Sequence, residues 1–330
     1  MKKRKTLLLI TIILISILLS SCGVKKEQAN TRKITVLLDW EPNTNHTGLY
    51  VAKDKGFFEK EGLEVEIIQS SEGGTSQLIA ASQGDFGISY QEEVTHARAM
   101  DIPVISVAAI IQNNTSGLAS LAEKGIKTPK DFEGKRYGGW GSPAEIALLK
   151  AMMEPYNADI DKVEIINIGT ADFFTCVEKD IIDLYMIYYG WTGVEAELRN
   201  IDLNYIPMIK DNPALNFYTP IIIVKETLVK EDPELIRGFL NATSKGYEYC
   251  INEPEKASEI LLKNVPELNK ELVIASQNYL AKEYKGDSEI WGTMEFKRWD
   301  NYARWMYEND LIPKKIKADD AFTNEFLEKE

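Results

Sequence analysis

Ile34-Thr35-Val36-Leu37-Leu38-Asp39-Trp40-Glu41-Pro42-Asn43-Thr44-Asn45-His46 runs from an apolar strand straight into a polar loop, and Thr47-Gly48-Leu49-Tyr50-Val51-Ala52 after it reads as a helix. Residues 34–38 are almost wholly large and apolar, which suits a buried strand. Strand, loop and helix in this order open an α/β unit. In open α/β sheets ligands bind beyond the carboxyl ends of the strands. The loop gathers a Trp, an Asp, two Asn and a His. Trp offers a flat apolar face, and Asp and Asn offer oriented hydrogen bonds. Together they suit a small, planar, polar molecule.

The alternation continues outward from this stretch. Residues 64–68 read as a strand, 75–82 as a helix, 84–89 as a turn into a buried strand, 90–100 as a helix and 103–111 as an apolar strand. The middle third repeats the pattern: a glycine-ended strand at 135–140, then Ser142-Pro143-Ala144-Glu145, which has the N-cap, first-turn Pro and capping-box acid of a helix start. Strand, helix and strand follow at 163–168, 171–179 and 181–188. Such alternation implies α/β architecture, with parallel sheets covered by helices. A last strand at 221–224 precedes a tail that is nearly all helical. Such a tail cannot form a sheet domain, so it should pack on the first lobe. These patterns predict two lobes, residues 33–124 with 219–330 and residues 125–218. The chain would cross between them near 117–128 and 217–220, with a cleft at the junction.

The amino terminus has its own logic. Lys2-Lys3-Arg4-Lys5 precedes an apolar run to Leu19, and Ser20-Ser21-Cys22 follows. This is the pattern of a lipoprotein signal of residues 1–21, with Cys22 lipidated and residues 22–32 as a polar tether. It places the rest of the chain outside the cytoplasm, anchored to the cell membrane. Loss of the leader leaves 34 basic residues against 51 acidic ones, a net charge of −17 in place of −13. That balance argues against nucleic acid as a partner and against adhesion to anionic lipid. Cys176 and Cys250 have no metal-ligand spacing and read as two buried thiols, a disulfide being the alternative. With only His46 and His96, a histidine-rich metal site is excluded.

Three loops should face the cleft: Asp39 to Asn43, Ser89 to Glu93, and Tyr188 to Trp191. The candidate ligand-binding residues are Asp39, Trp40, Asn43, Tyr90, Glu92, Ser142, Tyr188, Tyr189, Trp191 and Glu195. Gly141-Ser142 would add free backbone N–H groups at a helix start, suited to an acceptor or anion. Each has a structural alternative. Trp40 and Trp191 could be core aromatics. Adjacent Tyr188 and Tyr189 point to different sides if extended, so one should line the cleft and the other may only pack. Glu92 could serve the helix dipole, Ser142 its cap and Glu195 a solvated helix face. His46 reads as the start or cap of the first helix, and His96, one turn after Glu92, as its intrahelical partner. No nucleophile motif, phosphate-cradling loop or paired-carboxylate motif is present, which favours binding without chemistry and requires no cofactor.

The segments Leu38 to Ala52, Lys55-Gly56-Phe57-Phe58-Glu59-Lys60-Glu61-Gly62-Leu63, Gly84 to Glu93 and Tyr188 to Trp191 resemble the substrate-binding proteins of ABC importers, in the branch related to thiamine-pyrimidine biosynthesis and uptake. The resemblance implies a type II periplasmic-binding-protein fold: two lobes, each a mixed sheet flanked by helices, with the helical tail packed on the first. It implies a formylated aminomethylpyrimidine or hydroxymethylpyrimidine as ligand, an ABC permease with its ATPase as partner, and a monomer. Riboflavin or an aromatic sulfonate is the alternative ligand. The same branch holds an enzyme that makes the pyrimidine phosphate with a histidine and a cysteine-rich motif. This chain departs from it in having no cysteine cluster.

Overall fold

The apolar run at the start becomes β1 (Arg32–Leu38) in the computed structural model, which describes residues 31–70, 74–169 and 171–328. The expected leader, Cys22 and all but the last two tether residues lie outside the described residues. Residues 33–330 pack as one unit. Its further strands are β2 (Leu63–Gln69), β3 (Phe86–Ser89), β4 (Val104–Ala109), β5 (Ser116–Leu121), β6 (Arg136–Gly139), β7 (Glu164–Asn167), β8 (Leu184–Tyr188), β9 (Leu203–Pro207) and β10 (Ile221–Lys225). They form two five-stranded sheets, ordered β2-β1-β3-β10-β4 and β7-β6-β8-β5-β9.

Both sheets are mixed, where alternation alone predicts parallel ones. β1 and β3 are parallel, as are β6 with β7 and β8. β10 runs antiparallel to β3 and β4, and β5 antiparallel to β8 and β9. The reason is topological. β5 and β10 are the strands by which the chain enters a sheet from the other lobe. Ser116, the first residue of β5, lies opposite Tyr188, the last of β8, and Ile221 likewise starts β10 opposite Ser89. Each strand therefore enters at the carboxyl edge of its neighbours and must run backwards through the sheet. β5 also corrects the expected boundary. The first crossing is residues 110–115, because 116–121 already belongs to the second sheet. The two crossings are tied together: Asn114 donates to the Asn216 Oδ1 (3.1 Å) and to the Leu215 carbonyl (3.0 Å).

Helices α1 (Thr47–Asp54), α2 (Gln91–Ala99), α3 (Pro143–Met153) and α4 (Val194–Leu198) each follow a strand or a short turn at the junction. The tail contributes α5 (Pro233–Asn252), α6 (Pro254–Asn264), α7 (Lys270–Leu280) and α8 (Phe296–Glu308). α5 lies so close on α1 that a Cβ on Gly246 would sit 2.0 Å from the Gly48 carbonyl oxygen. Beside that crossing Phe239 stacks on Phe86, with ring centroids 3.7 Å apart. α5 and α6 thus cover the first lobe, as the tail should. α7 and α8 go further. α7 packs on α4 and on the turn at 189–193. α8 places Trp299 in a first-lobe core and Tyr302, Trp305 and Met306 in the second-lobe core. Its buried stripe is too wide for one lobe to cover, so the helix straddles both.

Candidate ligand-binding cleft

The carboxyl ends of β1, β3 and β8 converge with the start of β10 on a cavity of about 340 Å³. Asp39, Trp40, Asn43, Tyr90, Tyr188 and Trp191 line it, together with Asn45, Trp140, Met186 and Thr219. Trp40, Trp140, Tyr188 and Tyr90 keep 57, 46, 44 and 38 % of their surface exposed. Large aromatics ordinarily spend that area on the core, so four left open around one cavity make a stacking surface. Trp191 both lines the cavity and packs, half-buried, against the core cluster of Tyr50, Leu261, Val265 and Val273.

The first loop is held by its own side chains. Asn43 caps the short turn Thr44–His46: its Oδ1 accepts from the Asn45 N–H at 2.8 Å and its Nδ2 donates to the Glu41 carbonyl at 2.9 Å. Asn43 therefore reaches the cavity wall with its polar atoms already committed to the loop. The Asn43 N–H donates to His46 Nδ1 at 3.2 Å. An accepting Nδ1 puts the ring proton on Nε2, which lies 2.8 Å from Asp39 Oδ1 and donates to it. His46 is fully buried, so this ring fixes the Asp39 carboxylate in the cavity from behind. The sequence assigned His46 to the helix start. It stands there, and it also orients Asp39. The loop is clasped to the opposite lobe as well: Thr44 Oγ1 is 2.6 Å from Ser276 Oγ, which donates to the Gly190 carbonyl.

Two assigned residues face elsewhere. Tyr189 turns from the cleft to sit 4.7 Å, ring to ring, from Tyr205, and its hydroxyl donates to Glu197. Tyr188 has the cavity side of the strand end, and its neighbour has the other. Glu195 pairs with Arg199 one helical turn on, which keeps it on the α4 surface. Glu92 and Ser142 lie off the main cavity, in an adjoining space of about 190 Å³ that shares Tyr90, Trp140, Met186 and Tyr188. Of the donors expected at Gly141-Ser142, the Ser142 N–H is taken. The Ser142 N–H donates to Glu145 Oε2 at 2.9 Å, the Trp140 N–H to the same oxygen at 3.0 Å, and the Ala144 N–H to Ser142 Oγ at 3.2 Å. The capping box is complete, so the Ser142 N–H is not free to meet an anion.

Burial sets the electrostatics here. It pushes the Tyr188 hydroxyl up to about 12. It raises the Tyr90 phenol too, with Glu93 adding to the effect. Burial, then the nearby Glu145, raises the Glu92 carboxyl to about 7. No ion pair joins Glu92 to His96, which is exposed on the same helix. Cys176 and Cys250 are free thiols buried in the cores of different lobes. Among the described residues no three His, Cys, Asp or Glu side chains are grouped to hold a metal ion. Trp140 and Met186 are the lining residues that sequence reasoning missed. Trp140 follows a strand and precedes a helix, the same punctuation that exposes Trp40.

Two mixed α/β lobes, joined by two crossings and closing on an aromatic cleft, are the fold of the periplasmic binding proteins. The Escherichia coli periplasmic aliphatic sulphonate binding protein SsuA shares it with a TM-score of 0.68 over 87% of this chain and 91% of that one, at 15% identity. Residues 43–257 match the NMT1/THI5 like family, and the chain belongs to it. A formylaminopyrimidine-binding protein of Halalkalibacterium halodurans is 28% identical over 327 residues, 97% of this chain and 99% of the relative. A 4-amino-5-hydroxymethyl-2-methylpyrimidine phosphate synthase of Legionella pneumophila is 25% identical over 298 residues, 89% of this chain and 92% of the relative.

Proposed function

We propose that this chain is the extracytoplasmic, lipid-anchored receptor of an ABC importer and that it binds a pyrimidine thiamine precursor, formylated or hydroxymethylated, between its lobes. The observation that carries the reading is the pairing of a fixed acceptor with open aromatic faces. Asp39, held by buried His46, stands beside Trp40 and Tyr188 in a cavity of about 340 Å³. An aminopyrimidine is flat, so Trp and Tyr faces can stack on it, and its exocyclic amine can donate to a carboxylate. Near-full-length similarity to a formylaminopyrimidine-binding protein supports this ligand class. The leader supports the lipid anchor on Cys22 and an extracytoplasmic location. Closure of the lobes would bury the ligand and present a surface to the permease and its ATPase, the protein acting as a monomer.

The synthase relative raises an enzymatic reading. Binding is favoured because His46 is buried with both ring nitrogens engaged. Riboflavin or an aromatic sulfonate is the other ligand reading, and the committed donors at Ser142 weigh against the sulfonate. A thermal-shift panel of pyrimidines, flavins and sulfonates tests the ligand class, since a ligand that binds only the folded state raises the melting temperature. A shift with a flavin and none with any pyrimidine would overturn the pyrimidine assignment. No shift with any compound would overturn the receptor assignment.

A further inference from the structure

Residues Tyr189–Gly193 of the second lobe wind as a single π turn, a rare form that gathers at functional sites. The turn carries Trp191 and follows Tyr188, so two walls of the cavity depend on its placement. Its first three residues all dock on the helical tail of the first lobe. The Tyr189 ring lies 5.4 Å, centroid to centroid, from that of Tyr279 on α7. Gly190 comes so near α7 that a Cβ on it would sit 2.7 Å from Leu280 Cδ2. Trp191 packs against the cluster that joins α1, α6 and α7. α7 is itself seated on the first lobe, against α6 and the turn Thr44–His46. One hydroxyl fastens the two sides. Ser276 Oγ, fully buried on α7, donates to the Gly190 carbonyl, which spends its single proton. The Thr44 hydroxyl, 2.6 Å away, must then donate to Ser276. Thr44 is held in turn, its carbonyl accepting from the Tyr284 hydroxyl at 2.6 Å. The chain Thr44–Ser276–Gly190 therefore has one direction. It runs from the loop that carries Asp39 and Trp40 to the turn that carries Trp191, and Ser276 does not line the cavity.

We propose that α7 is the keeper of a closure latch: the turn at 189–193 docks on it, Ser276 fastens the turn, and this docking sets how long a ligand stays. The inference rests on the receptor reading above, in which a ligand is held between the lobes, and not on which ligand it is. When the lobes part, the turn leaves α7, and Ser276 and the Gly190 carbonyl turn to water. The contact then belongs to the closed form alone and weighs on the balance between open and closed. A ligand enters the open cleft before the latch forms. The latch should therefore slow departure and leave association nearly unaltered. Ser276 is a positioning residue, acting through the turn and touching no ligand.

Stopped-flow tryptophan fluorescence on the full chain tests this, with formylated 4-amino-5-aminomethyl-2-methylpyrimidine as the probe. Ser276→Ala should speed dissociation about tenfold, the weight of one net hydrogen bond, while the association rate constant changes by less than about twofold. Thr44→Ser keeps the hydroxyl chain and should release the probe as the unaltered protein does. Thr44→Val breaks the chain and should speed release. Gly190→Ala, which sets a methyl against Leu280, should speed release without removing a hydroxyl, and it carries the test if Ser276→Ala does not fold. In the ligand-free protein, the backbone amides of residues 190–195 should exchange hydrogen about tenfold faster in Ser276→Ala. Unchanged dissociation in Ser276→Ala and Gly190→Ala, or weaker binding that comes from slower association, overturns the latch and leaves the receptor reading standing. Failure of the probe to bind the unaltered chain overturns the pyrimidine assignment, and the latch then stands or falls on the amide exchange, an unchanged rate overturning it too.

Discussion

His46→Leu separates the work of orienting Asp39 from the work of holding the ligand. Leucine fills nearly the same space, so the loss is polar. The Asn43 N–H, now donating to Nδ1 at 3.2 Å, would be left without a partner in a residue only 6% exposed. An orphaned buried donor costs about 1–3 kcal/mol. The Asp39 carboxylate would lose the Nε2 donor at 2.8 Å, but its side chain is 18% exposed and can take up water, so about 1 kcal/mol is the net loss there. The variant should therefore be destabilised by about 3 kcal/mol, read as a lowered midpoint with unchanged slope in urea unfolding. Binding should respond less. The freed carboxylate must be ordered again when the ligand arrives, at about 0.5–1.5 kcal/mol, which weakens Kd about threefold to tenfold. Calorimetry with the pyrimidine that gives the largest thermal shift measures it. Full stability with full affinity would refute the orienting role. A loss of affinity of about a thousandfold or more would also refute it, since about 4 kcal/mol exceeds any ordering term and would mean that His46 touches the ligand.

Trp40→Ala should leave the melting temperature nearly unchanged, because the ring is 57% exposed, while binding weakens by about 2 kcal/mol, or about thirtyfold in Kd; a change under about threefold by calorimetry would remove the ring from the site. Gly246→Ala should be strongly destabilising, by about 2–4 kcal/mol, since its Cβ would sit 2.0 Å from the Gly48 carbonyl oxygen and two helix backbones must part; an unaltered thermal unfolding curve would disprove that close crossing. Glu92 predicts a pH dependence whose sign follows from its raised carboxyl. Stability contributed by the protonated form is fully present below the ordinary value of 4.5 and is lost as pH rises through about 7. The loss is at most about 3 kcal/mol. Glu92→Gln should flatten this decline in denaturation curves taken from pH 4 to 8, and a parallel decline in both proteins would show that Glu92 is not its source.

What was legible in the sequence was legible for local reasons. Residues 34–46 announce a strand, a polar loop and a helix start, and the sheet rule then places Asp39 and Trp40 at a ligand-facing edge. Ser142-Pro143-Ala144-Glu145 announces its capping box just as plainly, and the box forms. Its consequence is not local. Once Glu145 is folded back on the N–H groups of Trp140 and Ser142, the Ser142 donor read as available is gone. Asn43, Glu195 and Tyr189 follow the same course, each spending its polar atoms on a near neighbour. His46 errs in the opposite direction. Seven residues separate it from Asp39, and only the turn at Thr44–His46 brings the ring behind the carboxylate. α8 was legible as a helix, but that its apolar stripe would serve both lobes depends on where the crossings place them. The polar atoms a sequence offers to a cleft are therefore a stock from which the fold first satisfies itself. Here the remainder is small. Asp39 makes its hydrogen bond through Oδ1 alone among the described residues. That carboxylate, set among open aromatic faces, is the acceptor the fold leaves to the cleft.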